Sequence, residues 1–275
     1  MLVHLGSSVL RHNLPEPACQ KHAPGHYPPA AIPVRRPQRP FRPARPLPFN
    51  PGMTDPAPPL AGLLEITGGE NALVLALQPG DESLDCGGFI AESCRRGRPP
   101  FVMVLQDGSA SHPGSNLFPP DRIAAIRERE TRAAVRRLGL RADRLLMAGL
   151  IDGPLPTEGP VFEGAVRGIA LVMWARDCNL ILAPWPTGAA RTAAHRIAAA
   201  VAAGSGVAHL CYAPPPGAPQ DGWRLPIPQE TKREAVAAHG SRLGGLVPDD
   251  PAPRTPPARL VAAEHAFETI LRPPA

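Results

Sequence analysis

The chain has 275 residues with 29 Lys and Arg against 24 Asp and Glu, long enough for a sizeable core in one or two domains of ~150 residues each. The basic excess belongs to the front: residues 1–52 carry seven basic side chains, one acid and twelve prolines, leaving 22 basic and 23 acidic groups beyond them. A near-neutral body excludes a nucleic-acid-binding domain built on a basic face, and with no apolar run of ~18 residues a membrane-spanning helix is excluded too.

Residues 1–58 read as a disordered Pro/Arg-rich tail and residues 59–275 as the folded domain. Runs such as Arg35-Arg36-Pro37-Gln38-Arg39-Pro40 lose backbone donors and disfavour helix before each proline, so they stay extended. Such a tail is an arm for an anionic partner, a Pro-rich ligand segment, or a stretch lying ahead of a start at Met53. Only Lys21 and Lys232 stand against 27 arginines; a bias of that kind generates Pro/Arg runs without selection and favours Met53. Met1 to Asn13 lacks the apolar stretch of a secretory signal. The five cysteines (Cys19, Cys86, Cys94, Cys178 and Cys211) are odd in number and widely spaced, which points to a reducing, cytoplasmic setting.

The body alternates strand and helix. Ala72 to Leu77 is a short apolar run ended by Pro79-Gly80, a buried strand. A helix is predicted from Gly87 to Arg96, then a second buried strand from Phe101 to Leu105. Pro119-Pro120-Asp121 opens a long helix that ends at Gly139, with an acid in its first turn and arginines in its last. Arg144 to Ala148 and Asn179 to Ala183 are further strands, separated by a helix over Phe162 to Cys178. A helix over Ala189 to Ala203 leads to a further strand, Val207 to Tyr212. Strands buried on both faces and alternating with helices imply an α/β fold with a mostly parallel sheet between two helical layers. Ligands of such sheets sit beyond the carboxyl ends of the strands. The first of those loops lacks Gly-x-Gly-x-x-Gly, which argues against a dinucleotide site.

The loops at those ends carry the chemistry. The first reads Gln78-Pro79-Gly80-Asp81-Glu82-Ser83-Leu84-Asp85-Cys86-Gly87-Gly88 and the second Gln106-Asp107-Gly108-Ser109-Ala110-Ser111-His112-Pro113. Together with Arg127-x-x-Glu130, Leu182-Ala183-Pro184-Trp185, Trp223, Lys232, His239-Gly240-Ser241 and Phe267-Glu268, this order resembles the LmbE/PIG-L family of zinc-dependent N-deacetylases over residues 71–272. The resemblance implies a Rossmann-like three-layer α/β/α domain and hydrolysis of N-acetyl groups on sugar-type small molecules. It also implies a zinc cofactor, and substrate contacts from Arg127, Asp107 and His112.

The metal motif departs from the family. Where His-Pro-Asp-Asp-Glu is expected, Gln78 takes the histidine position, Gly80 takes the general-base position, and Asp81 alone remains as a ligand. Where His-Pro-Asp-His is expected stands Ala190-Arg191-Thr192-Ala193, so Ala190 replaces the histidine that steadies the carbonyl and Ala193 a ligand. A catalytic zinc wants about three protein ligands and an open position. The resemblance with these losses therefore implies a deacetylase that is impaired or inactive, with zinc absent or weakly held. The other reading is a non-catalytic binder of a glycan or partner that reuses the pocket. His195, inside an Ala-rich helix and roughly 200° from the expected direction, reads as a residue that packs or faces water. Cys86 reads as a packing residue.

Overall fold

The computed structural model describes residues 57–218 and 221–274; the expected tail falls almost wholly on residues outside these. A seven-stranded sheet with order β3-β2-β1-β4-β5-β7-β6 forms the middle layer. Its strands are β1 (Ala72–Ala76), β2 (Phe101–Gln106), β3 (Leu145–Leu150), β4 (Leu180–Pro184), β5 (Ala208–Tyr212), β6 (Gly222–Pro226) and β7 (Phe267–Leu271). The first five pair in parallel, while β7 runs antiparallel to both β5 and β6.

Each central strand feeds two cores, because alternate side chains leave opposite faces. From β1, Val74 and Ala76 join Phe89 and Ile90 of α2 (Asp81–Arg95), Ala134 and Leu138 of α3 (Pro120–Arg137), and Ala235 of α6 (Gln229–Val236). Leu73 and Leu75 face the other way, onto Ile169 and Met173 of α4 (Gly159–Ala175) and Ile197 and Val201 of α5 (Gly188–Ser205). The short α1 (Leu63–Thr67) adds Leu63 and Ile66 to the first core. This is the expected three-layer, mostly parallel arrangement. The strand order reverses between β1 and β4, which opens a crevice at their carboxyl ends.

One correction to the sequence reading concerns the start of a helix. The second helix starts at Asp81, not at Gly87. Gly80 adopts φ +96, turning the chain into the helix, and Asp81 and Glu82 then meet the positive end of its dipole. The polar run from Asp81 to Asp85 had looked like loop because helical start residues with acidic side chains carry no apolar period. At the C-terminus, β6 and β7 extend the sheet with α6, α7 (Gly240–Leu243) and α8 (Pro257–Ala263) between them.

A buried ion pair docks this C-terminal segment. Lys232 Nζ lies 2.7 Å from Glu268 Oε1, with both side chains almost fully buried. Glu268 also accepts from the backbone N–H groups of Gly88 and Phe89, each at 2.7 Å. The strand thereby grips the middle of α2, where the absence of a side chain at Gly88 leaves room for Ile227: a Cβ there would come within 2.5 Å of it. Glu268→Ala strands a buried ammonium and two amides, and removing one member of a buried pair costs about 3–5 kcal/mol. Urea unfolding at neutral pH is expected to show that loss, and Lys232→Met with Glu268→Met together is expected to recover part of it.

Candidate functional site

The crevice at the β1/β4 switch point is built on the first turn of α2. Asp81 sits there with its carboxylate turned back on the preceding loop, where Oδ2 accepts from the Gln78 N–H at 3.2 Å. Its other oxygen accepts from two guanidinium groups: Arg242 Nη1 at 2.8 Å and Arg259 Nη2 at 2.9 Å. Arg242, on α7, also donates to the Pro79 carbonyl at 2.8 Å. Arg259, on α8, also reaches Asp85 at 2.6 Å, and Arg191 of α5 pairs with Asp85 from the far side of the crevice. Three arginines from three helices thus converge on two carboxylates of α2.

Gly80 explains why Arg242 can come so close. A Cβ built there would stand 2.5 Å from Arg242 Cδ, so the arginine stem fills the space beside residue 80 that a side chain would enter. Next along α2, Glu82 is fully buried and lies 3.0 Å from His239 Nε2. It also accepts from Ser83 Oγ at 2.9 Å and the Gly80 N–H at 2.7 Å.

Burial by itself raises the pKa of Asp81, but the pull of Arg242, then Arg259 and Arg191, outweighs it and holds the carboxyl well below the usual range. For Glu82 burial again raises, and His239 with the hydrogen bonds from Ser83 and Gly80 brings the net shift down. Both acids are therefore ionised and fully engaged at neutral pH.

The other expected residues surround this network. Gln78 is bound by its Nε2 to Asp152 Oδ1 at 2.7 Å. Asp107 Oδ1 accepts from the Ser109 and Asp152 N–H groups, each at 3.0 Å, joining the loops after β2 and β3. Arg127 is buried, and its Nη groups donate to the carbonyls of Gly108 and Pro79 at 3.2 and 3.3 Å. Burial, then the neighbouring Arg242, lowers its pKa to about 10. His112 is buried against Ser111, whose Oγ lies 2.9 Å from its Nδ1; burial, then Arg254, lowers its pKa. Ala190 and Ala193 lie in the first turns of α5 and bring no donor atom. Cys86 is fully buried in the core, its thiol pushed well up by burial and then by Glu268.

Asp85, Arg191, Arg242 and Arg259 were not singled out from sequence. Arg242 and Asp81 are 161 residues apart, and no local spacing announces such a pair. The one available signal was Arg242 immediately following the His239-Gly240-Ser241 run.

Residues 73–204 match the family model described as PIG-L, GlcNAc-PI de-N-acetylase. No curated protein sequence matches the chain. Among solved structures it is similar to N,N'-diacetylchitobiose deacetylase from Pyrococcus horikoshii, with 16% identity, 69% of this chain and 72% of that one covered, and a TM-score of 0.52. It is also similar to a conserved protein from Thermus thermophilus, with 21% identity, 74% and 95% covered, and a TM-score of 0.56. A third, 4-carboxy-2-hydroxymuconate hydratase from Pseudomonas putida, has 17% identity, 63% and 80% covered, and a TM-score of 0.50. At these identities the likeness is one of fold, and a fold shared by a deacetylase and a hydratase leaves the reaction to be argued from the site.

The pairing of Asp81 sets an acid dependence. A carboxyl whose folded pKa is depressed contributes stability fully above its unfolded value near ~3.9 and loses it as pH falls toward the folded one. The protein is therefore expected to weaken steeply below about pH 4. Asp81→Asn is expected to cost about 3–5 kcal/mol at pH 7 and to flatten the remaining acid dependence. Urea midpoints measured across pH 3–7 for both proteins check this, and identical profiles would contradict it.

Proposed function

We propose that this chain, whose residues 73–204 match the PIG-L family model, is a deacetylase-related protein whose crevice receives an N-acetylated sugar or similar polar small molecule without metal-assisted hydrolysis of it. The observation that carries this reading is the state of Asp81, whose carboxylate is already bonded by Arg242 and Arg259. The donors at the family's metal position do not fit zinc. A catalytic zinc needs about three protein ligands with one position left for water. Here Gln78 offers a neutral amide engaged by Asp152, Ala193 offers nothing, and a dication at Asp81 would sit against two guanidinium charges. At Gly80 no side chain can take a proton from water, and Arg242 fills the neighbouring space.

What remains suits recognition. The side chains of Arg259 and Arg191 keep 28% and 16% of their surface exposed, so their outward N–H groups can meet hydroxyl, carbonyl or carboxylate oxygens of a ligand. His112 and Asp107, on the loop after β2, stand on the same carboxyl side of the sheet. Arg127 contributes by bracing the Pro79 and Gly108 loops against each other.

The full chain, given zinc and N-acetylglucosamine or N,N'-diacetylchitobiose, is expected to release no acetate; release that disappears in Asp81→Asn would overturn the reading. A gain-of-metal series tests the physical cause. Restoring Gln78→His, Gly80→Asp, Ala190→His and Ala193→His with both arginines in place is expected to create no zinc site at residue 81. Adding Arg242→Ala and Arg259→Ala is expected to create one. Metal analysis of the folded variants, with Cys211→Ser as the common background, decides between these outcomes.

A further inference from the structure

On the face of the sheet opposite α2, three metal-ligating side chains meet. His209 and Cys211 alternate along β5 and so share one face, and His195 approaches them from α5. Cys211 Sγ lies 3.5 Å from His195 Nδ1 and 3.9 Å from His209 Nε2. All three donor atoms fall within 4.8 Å of one another, and the two imidazole centroids are 4.9 Å apart. A tetrahedral zinc, with Zn–S of ~2.3 Å and Zn–N of ~2.0–2.1 Å, separates a sulfur from a nitrogen ligand by about 3.5 Å. The donors stand close to the spacing such an ion requires.

Their surroundings point the same way. None of the three takes part in an ion pair among the described residues, in contrast to Asp81. His195 and Cys211 are buried while His209 is partly exposed, which leaves the approach to a fourth position on the His209 side.

We infer that His195, His209 and Cys211 form a three-ligand site for one zinc-class divalent cation, separate from the family's metal position at Asp81. Two imidazoles and a thiolate select zinc or a softer transition ion over magnesium or calcium. On binding, the Cys211 S–H bond breaks, its proton passes to solvent, and the sulfur bonds the ion.

Cobalt(II) is the probe. The full chain, freed of metal by dialysis against a chelator, is expected to take up one equivalent of Co²⁺ with a thiolate-to-cobalt absorption band, and Zn²⁺ is expected to displace it. Cys211→Ser is expected to abolish the band and weaken uptake by more than the roughly 100-fold that losing an outer partner costs. His209→Asn, at a partly exposed position, serves the same purpose where the serine variant does not fold. Asp81→Asn is expected to keep the band, with Gln78→Ala in its place where that variant does not fold. No uptake by folded wild-type protein, uptake without the band, or a band that survives both ligand substitutions overturns the site. Uptake lost with Asp81→Asn yet kept by Cys211→Ser would overturn both this site and the reading of the crevice, whereas acetate release dependent on Asp81 would overturn the latter alone.

Discussion

A carboxylate at the start of α2, bonded by two arginines from the far end of the chain, holds the domain in register. Asp81 is nine-tenths or more removed from water, and a buried charge is tolerable only with a partner. Arg242 and Arg259 supply it, and in doing so they seat α7 and α8 against the first turn of α2. Glu82 repeats the pattern with His239, and Glu268 answers from β7 by gripping the middle of the same helix. The C-terminal segment is therefore attached to the parallel sheet through α2, by a ladder of charged contacts beside an apolar core.

That attachment determines what the crevice can do. In an open α/β sheet the helix start after β1 is the natural place for ligand chemistry, since the dipole and the strand reversal meet there. Here the carboxylate at that place is spent on structure. Guanidinium groups neutralise the very oxygen that a cation would seek, and the stem of Arg242 occupies the space beside Gly80. On the other face of the sheet two imidazoles and a thiol gather, none of them in an ion pair among the described residues.

Much of the frame was legible from local pattern. The runs around Leu73–Leu75, Val102–Val104 and Ile181–Leu182 are apolar on both faces because both faces are covered, and their order with the intervening helices gives a parallel sheet. Gln78, Gly80, Ala190 and Ala193 stood out only beside the motifs of the family the sequence resembles, because it is that resemblance which leads one to expect histidines and a carboxylate at those positions. The start of α2 was misplaced because its polar first turn is buried by ion pairs that no periodicity records. His195 was read as a residue of an Ala-rich helix that packs or faces water. The chain spacing of His209 and Cys211, two apart on a strand, was the available hint that a second face held donors.

The amino-acid sequence by itself determined the layers and the parallel strands, since these depend on residue type and short-range period. Only the tertiary structure decided which charges meet: that Arg242 and Arg259 close on Asp81, that Glu268 reaches α2, and that His195 joins β5. Such pairings span scores of residues along the chain, and an ion pair or a ligand set is specified by positions in space, which folding of the intervening segments alone brings together.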